Sequence, residues 1–180
     1  MTAEQRTGKA LFSSVYADDD GGADQELEAA LTAFAALTDE TEHDPARLRV
    51  LCAMAEARVL VPVVALTDET SAHMAAVTIT GRDGRRGLLA FTSTTTLADW
   101  NSAARPVPVS VPMAAQSALN EGASALVLDL AGPAMFPVEH TELTAFAAGW
   151  RPVDTGGATV EWAAPLTAGP RVPNGEPRTR

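Results

Sequence analysis

The sequence predicts a single α+β domain, built on a mixed β-sheet of about five to six strands flanked by four to five helices. Apolar residues recur at helical spacing near both ends of the chain, whereas strand-like runs follow one another in its middle. Strands that come in runs favour a mixed sheet over repeated βαβ units. Hydrophobic residues make up 46% of the 180 residues, which is enough to bury one core. The expected order of the elements is ααβββααββα.

The helices are predicted from capping residues that precede apolar stripes. Asp24 is placed to cap a first helix whose apolar residues recur three and four positions apart: Leu27, Ala30, Leu31, Phe34 and Leu37. Asp44 and Pro45 supply a cap and a first-turn proline for a second helix, on which Cys52 faces the core. Three later helices are expected to begin at Ser93 or Thr94, at Ser110 and at Thr141. The last two of these end at Gly122 and Gly149.

Valine-rich and alternating runs predict the strands. Residues 59–66 form the first strand, in which Pro62 indicates a sheet edge or a bulge. Residues 73–80 alternate and pair with residues 86–92, because the intervening Asp83-Gly84 accepts the positive φ of a hairpin turn. Two further strands and one extended crossover are predicted at residues 124–130, 134–138 and 105–109.

Both ends of the chain are predicted to lie outside the domain, which spans residues 23–162. Residues 1–22 lack a sustained period and are expected to be a flexible N-terminal arm. Residues 163–180 contain four prolines and are expected to be a C-terminal tail. The chain has one cysteine, no apolar run of membrane-spanning length and no secretory signal pattern, which favours a cytoplasmic location.

The acidic residues are concentrated near the start of the domain. Ten of the 23 acids lie between Asp18 and Asp44, a stretch without Lys or Arg. A local negative field repels phosphate backbones and anionic lipid, so we expect neither nucleic acid nor membrane as a partner. A basic segment of another protein could bind to this negatively charged region.

No set of residues with a recognisable catalytic or metal-binding spacing is present. His43, His73 and His140 have no acid or cysteine at ligand spacing, and no serine lies in a GxSxG elbow. Cys52 lies on an apolar stripe and is interpreted as structural. The sequence therefore predicts no catalytic residue, no metal and no cofactor.

Several short motifs in the middle of the chain resemble the SseB-like N-terminal domain family when they are taken in order. These are Asp83-Gly84-Arg85, the run 88–93, Leu97, Trp100, the run 105–108, the run 125–129 and Ala131-Gly132-Pro133. The resemblance covers most of residues 24–149. It implies an α+β domain and, since no catalytic residue or cofactor is established for the family, it implies no reaction.

From the resemblance and the lack of a catalytic set, we expect a non-catalytic protein-interaction or regulatory module of bacterial type, which binds another protein or a second copy of itself. Trp100 either packs in the core or, beside a stiff, proline-containing segment and an arginine, serves as the kind of rigid anchor that is typical of interfaces. The candidate surface consists of Phe91, Thr92, Ser93, Trp100, Arg105, Asp129, Gly132 and Pro133. These residues converge if the two strands that precede them are neighbours.

The alternative is a sensor or enzyme for a small anionic metabolite. Either Arg105 with Asp129 or the three arginines of the hairpin turn would hold the anion: Arg82, Arg85 and Arg86.

Overall fold

The computed structural model describes residues 16–67, 72–155 and 160–165. Five α-helices lie within these ranges: α1 (Gln25–Ala35), α2 (His43–Glu56), α3 (Thr94–Asn101), α4 (Val111–Asn120) and α5 (His140–Ala147). A short 3₁₀ helix, Glu40–Glu42, precedes α2. The strands are β1 (Arg58–Thr67), β2 (Ala72–Ala76), β3 (Thr78–Thr80), β4 (Arg86–Ala90), β5 (Arg105–Ser110), β6 (Ala125–Leu128), β7 (Phe136–Val138), β8 (Arg151–Val153) and β9 (Glu161–Ala163).

These elements confirm the α+β class, with more strands than expected. A three-stranded sheet in the order β2-β1-β5 and a four-stranded sheet in the order β3-β4-β6-β7 meet at one β-bridge between Leu60 and Phe91. The two hydrogen bonds of that bridge measure 2.8 and 2.9 Å. Only β4 and β6 are parallel to each other, so the sheet is mixed. A separate pair, β8 and β9, follows the last helix.

The strand predicted at residues 73–80 is divided into β2 and β3 at Val77. The Val77 N–H donates to the Pro62 carbonyl on β1, and the Val77 carbonyl accepts from the Leu89 N–H on β4. The chain therefore leaves one sheet and joins the other within one residue. Pro62 lies at this fork, in a strand flanked by β2 and β5, so its expected edge position was wrong. A proline is tolerated there because the Val77 carbonyl, which an N–H at position 62 would otherwise reach, accepts from Leu89 instead.

Local capping signals were correct where a side chain closes the first turn. The Asp24 carboxylate accepts the N–H groups of Glu26 and Leu27, both at 3.0 Å. The expected cap of the second helix was wrong, because α2 begins at His43 after Glu42, which makes no side-chain capping bond. Cys52, on the same helix, is partly exposed and is not a core residue.

The sheet has two unequal faces. Its inner face packs against α1, α2, α4 and α5, with fully buried residues from each helix: Leu27, Leu51, Ala114 and Phe146. Its outer face carries a smaller cluster under α3: Leu60, Leu89, Phe91, Leu97 and Ala104. Trp100 and Leu130 pack against that outer cluster.

The predicted arm, residues 1–22, and tail, residues 163–180, lie mostly outside the described ranges, and this division of the chain stays a prediction. Within the described ranges, no helix has the length and apolar character needed to cross a bilayer.

Candidate functional site

The predicted surface lies where the parallel strands β4 and β6 end. Their register pairs Ala90 with Leu128, so the residues that follow lie side by side at the carboxyl ends of these two strands. There the Asp129 carboxylate accepts two hydrogen bonds from Thr92, from its N–H at 2.9 Å and from its hydroxyl at 2.7 Å. Both residues are buried, with 5% of Asp129 and 4% of Thr92 exposed. The carboxylate therefore holds the two strand ends together.

The backbone around Asp129 is shaped for this contact. Asp129 has a φ of +50°, a left-handed conformation that aspartate tolerates better than most side chains. The turn closes through the Gly132 N–H, which donates to the Asp129 carbonyl at 2.9 Å. A Cβ on Gly132 would lie 3.0 Å from the Cβ of Asp129, so the turn favours glycine.

Arg58 connects the junction of the two strand ends, formed by Thr92 and Asp129, to the segment before α1. Its Nε donates to Asp19 at 2.5 Å, its Nη1 donates to the Thr92 carbonyl at 2.5 Å, and its Nη2 donates to the Gly22 carbonyl. The Arg58 hydrogen bond is the main cause that lowers the pKa of Asp19, and desolvation by burial opposes it. The guanidinium thus satisfies oxygens from two segments that are far apart in the sequence.

The amino end of α3 is occupied by the protein itself. The Thr94 N–H donates to the Gly21 carbonyl at 2.9 Å. Ser93 and Thr96 form a capping box, in which the Ser93 hydroxyl accepts the Thr96 N–H at 3.1 Å. Because these donors have partners, the helix end offers no ready site for an anion.

Trp100 lies against the outer cluster with part of its ring exposed. It stacks on Phe91 with 5.5 Å between ring centroids and 30° between planes. Phe91 is fully buried, so it forms a fixed base for the indole. Arg105 follows Ala104 of the same cluster and is exposed, and its side chain has no ion pair or hydrogen bond with another described residue.

The structure thus divides the eight predicted site residues into two groups. Phe91, Thr92, Ser93 and Asp129 are buried, and their contacts are internal. The accessible residues are Trp100, Arg105, Gly132 and Pro133, of which Arg105 and Pro133 are exposed and the other two are partly exposed. Whether the accessible group binds a partner stays a prediction.

The three arginines of the hairpin turn border a groove of about 460 Å³ with a mainly apolar floor that includes Val127. Arg85 bonds to Asp83 at 2.5 Å and to Glu139 at 2.9 Å, so two carboxylates already compensate its charge. Arg86 donates to the Thr78 hydroxyl at 3.0 Å. This arrangement is a poor cradle for a small anion.

The other candidate groups for chemistry do not assemble within the described part of the chain. No cluster there contains three or more His, Cys, Asp or Glu residues that could hold a metal ion. His43 packs against Phe34, with 4.6 Å between ring centroids. The side chain of His73 lies outside the described residues. Burial, followed by the charges of Asp154 and Glu26, raises the pKa of the Cys52 thiol, which disfavours a nucleophilic thiolate.

Sequence reasoning missed Arg58 and Asp19. Asp19 was counted among the ten acids between Asp18 and Asp44, and Arg58, directly before the predicted first strand, was given no role. Their pairing spans 39 positions, so no local pattern indicates it. The one available signal was an isolated arginine directly before a buried valine-rich run.

A model of the SseB protein N-terminal domain matches residues 27–145 of the chain. The match includes both strand ends of the junction, Arg58, Trp100 and Arg105. No curated protein and no solved structure matches the chain.

Proposed function

The chain belongs to the SseB protein N-terminal domain family, and from this premise we propose that it is a non-catalytic protein-interaction module of the bacterial cytoplasm. We assign its contact surface to the four accessible residues of the predicted site: Trp100, Arg105, Gly132 and Pro133.

The observation that carries this proposal is the partly exposed Trp100 stacked on the buried Phe91. Tryptophan and arginine are the residue types most enriched among interface hot spots. An aromatic ring that is already held in place loses little conformational entropy when a partner covers it. The Phe91 support therefore favours Trp100 as a binding anchor over a freely rotating surface side chain.

Arg105 and Pro133 define the chemistry that a partner should offer. Arg105 has no carboxylate partner among the described residues, so a partner carboxylate can pair with its guanidinium. Trp100 and Pro133 present apolar surface that favours an apolar side chain. We expect a partner segment with an apolar residue flanked by an acid.

The test is affinity capture from the native cell with the full chain as bait. Trp100→Ala and Arg105→Ala are expected to lose the partner that the wild-type chain retains. Trp150→Ala and Arg49→Ala are the matched controls, because Trp150 and Arg49 are exposed residues of the same types at other parts of the molecule. Both controls should retain the partner.

Recovery of nothing above background by the wild-type chain would contradict the proposal. Equal loss in all four variants would also contradict it, because the effect would then not belong to this surface.

The metabolite alternative is less favoured, because Arg85 is paired with two carboxylates, and Asp129 is buried and already accepts hydrogen bonds from Thr92. A thermal-shift screen against anionic metabolites distinguishes the two functions. A ligand at about 100 times its dissociation constant would add about 2.7 kcal/mol of stability.

A further inference from the structure

The strand pair β2 and β3 forms one continuous edge of the sheet. The peptide groups of Val77 face inward to both neighbours, since its N–H reaches β1 and its carbonyl reaches β4. At the far end of β3, the Gly81 N–H donates to the Arg85 carbonyl at 2.8 Å. In a strand the peptide groups alternate between the two sides, so the odd-numbered residues face the sheet. Even-numbered residues therefore point their N–H and carbonyl groups away from it.

Thr78 and Thr80 are the outward residues of β3. No backbone hydrogen bond joins their N–H or carbonyl groups to a residue outside the β3–β4 ladder in the part of the chain that the structure describes. Residues 72–80 contain no proline and no Asp, Glu, Lys or Arg. These described residues therefore lack the prolines and charges by which proteins often block strand addition.

The opposite edge of the sheet, β5, is blocked by two prolines. Pro108 pairs with Leu60, whose own peptide groups bond to Phe91 on the other side of β1. Pro106 lies two residues earlier in the same register. Both prolines therefore occupy outward positions, where an N–H would otherwise be free to bond to another chain.

The remaining edge of the four-stranded sheet, β7, is blocked in the same way. Its middle residue, Pro137, has no N–H, and its carbonyl accepts from Arg47 Nη2 at 2.8 Å. That bond points away from β6, so Pro137 faces outward. Among the residues that the structure describes, the edge formed by β2 and β3 is the one of these three whose outward N–H and carbonyl groups have no partner and are not interrupted by proline.

We infer that the β2–β3 edge binds the same edge of a second copy of this chain, by antiparallel strand pairing across a two-fold axis. Such an edge is complementary to itself, because each outward N–H meets an outward carbonyl of the partner. The absence of charge in residues 72–80 means that two identical edges do not repel each other. The prolines of β5 and β7 stop further addition, so the assembly closes at two chains.

This pairing involves a different part of the molecule from the Trp100 surface and does not depend on it. The two can be separated by variants, since Trp100→Ala should leave the dimer intact and an edge variant should leave partner capture intact.

The test is sedimentation velocity on the full chain over a concentration series. The wild-type chain is expected to dimerise, and Thr78→Pro should raise the dissociation constant by at least about tenfold, because each dimer loses two backbone hydrogen bonds. Thr78→Ser keeps the N–H and the hydroxyl that Arg86 contacts, so this control should dimerise like the wild-type chain. Thr80→Lys places charge at the exposed end of the edge and should also weaken the dimer.

Circular dichroism checks that Thr78→Pro folds, and Thr80→Lys decides the question if it does not. A wild-type chain that stays monomeric at every concentration overturns the inference. A dimer that survives in Thr80→Lys and in folded Thr78→Pro, or that is lost in Trp100→Ala, overturns it as well, because the contact would then lie elsewhere.

Discussion

The two faces of the sheet differ in what covers them. Four helices cover the inner face, and their buried side chains form the larger core. The eight-residue helix α3 covers the outer face, and its cluster is completed by half-buried side chains such as Trp100. Just before α3 begins, at the carboxyl ends of β4 and β6, Thr92 and Asp129 are hydrogen-bonded to each other. The buried polar residues therefore stabilise the outer face, whereas its accessible residues are available for contact.

The largest loss of stability is expected for a substitution at the centre of the outer cluster. Phe91→Ala should lower the free energy of unfolding by about 3–5 kcal/mol, because it empties a fully buried site and removes the support of Trp100. Urea denaturation measures this loss. Phe136→Ala makes the same change on the inner face and should cost a similar amount. A loss below about 1 kcal/mol for Phe91→Ala alone would show that the outer cluster is not a packed core.

The next effect concerns the hydrogen bonds between Asp129 and Thr92, which join the ends of β4 and β6. Asp129→Asn should cost about 1–3 kcal/mol, because it replaces the charged acceptor of both Thr92 hydrogen bonds with a neutral amide. The amide NH2 can donate to the Thr92 hydroxyl oxygen, but the hydroxyl proton then loses its acceptor. Asparagine tolerates the left-handed φ of this residue, so the variant isolates the lost acceptor from backbone strain. Thermal or urea unfolding measures the change. Thr92→Val keeps the backbone bond and should cost less, and the reverse order would contradict this assignment.

A smaller effect is expected for the bond between Arg58 and Asp19. Asp19→Asn should cost about 1–2 kcal/mol at neutral pH, because the charged hydrogen bond with the partly buried Arg58 is lost. The folded-state pKa of Asp19 lies below its ordinary value of 3.8. Its stabilisation is therefore present above about pH 4 and is lost as the pH falls through the lowered folded pKa.

Unfolding curves of wild type and Asp19→Asn should accordingly converge in strong acid. Asp83→Asn, in an exposed ion pair with Arg85, serves as the control and should unfold like the wild-type chain at every pH. A constant gap between wild type and Asp19→Asn down to strong acid would contradict the ionic origin of this contact.

Local signals were enough to predict much of the fold. Asp24 and Ser93 cap helices as expected, and positive φ angles occur at three glycines that the sequence assigned to turns or helix ends: Gly84, Gly122 and Gly149. Each of these depends on neighbours within a few positions. The start of α2 was misplaced because Asp44-Pro45 has the residue types of a cap and first turn, whereas the helix begins one residue earlier, at His43.

The candidate site was less predictable, because its contacts are long-range. The sequence indicated Thr92 and Asp129 as surface residues, but their mutual bond spans 37 positions and buries both. Pairing of β4 with β6 decides this burial, and no periodicity in the sequence specifies which strands become neighbours. Trp100 was interpreted as either core or anchor, and its partial exposure on Phe91 combines the two.

The most direct measurement compares Arg105→Ala with Asp129→Asn in two assays, unfolding free energy and retention of the captured partner. Arg105→Ala should change stability by less than about 0.5 kcal/mol and lose the partner, because Arg105 is exposed and unpaired among the described residues. Asp129→Asn should lose stability and, at temperatures where it stays folded, keep the partner. Unchanged binding by Arg105→Ala, or loss of binding by folded Asp129→Asn, would contradict the division between bracing and contact residues.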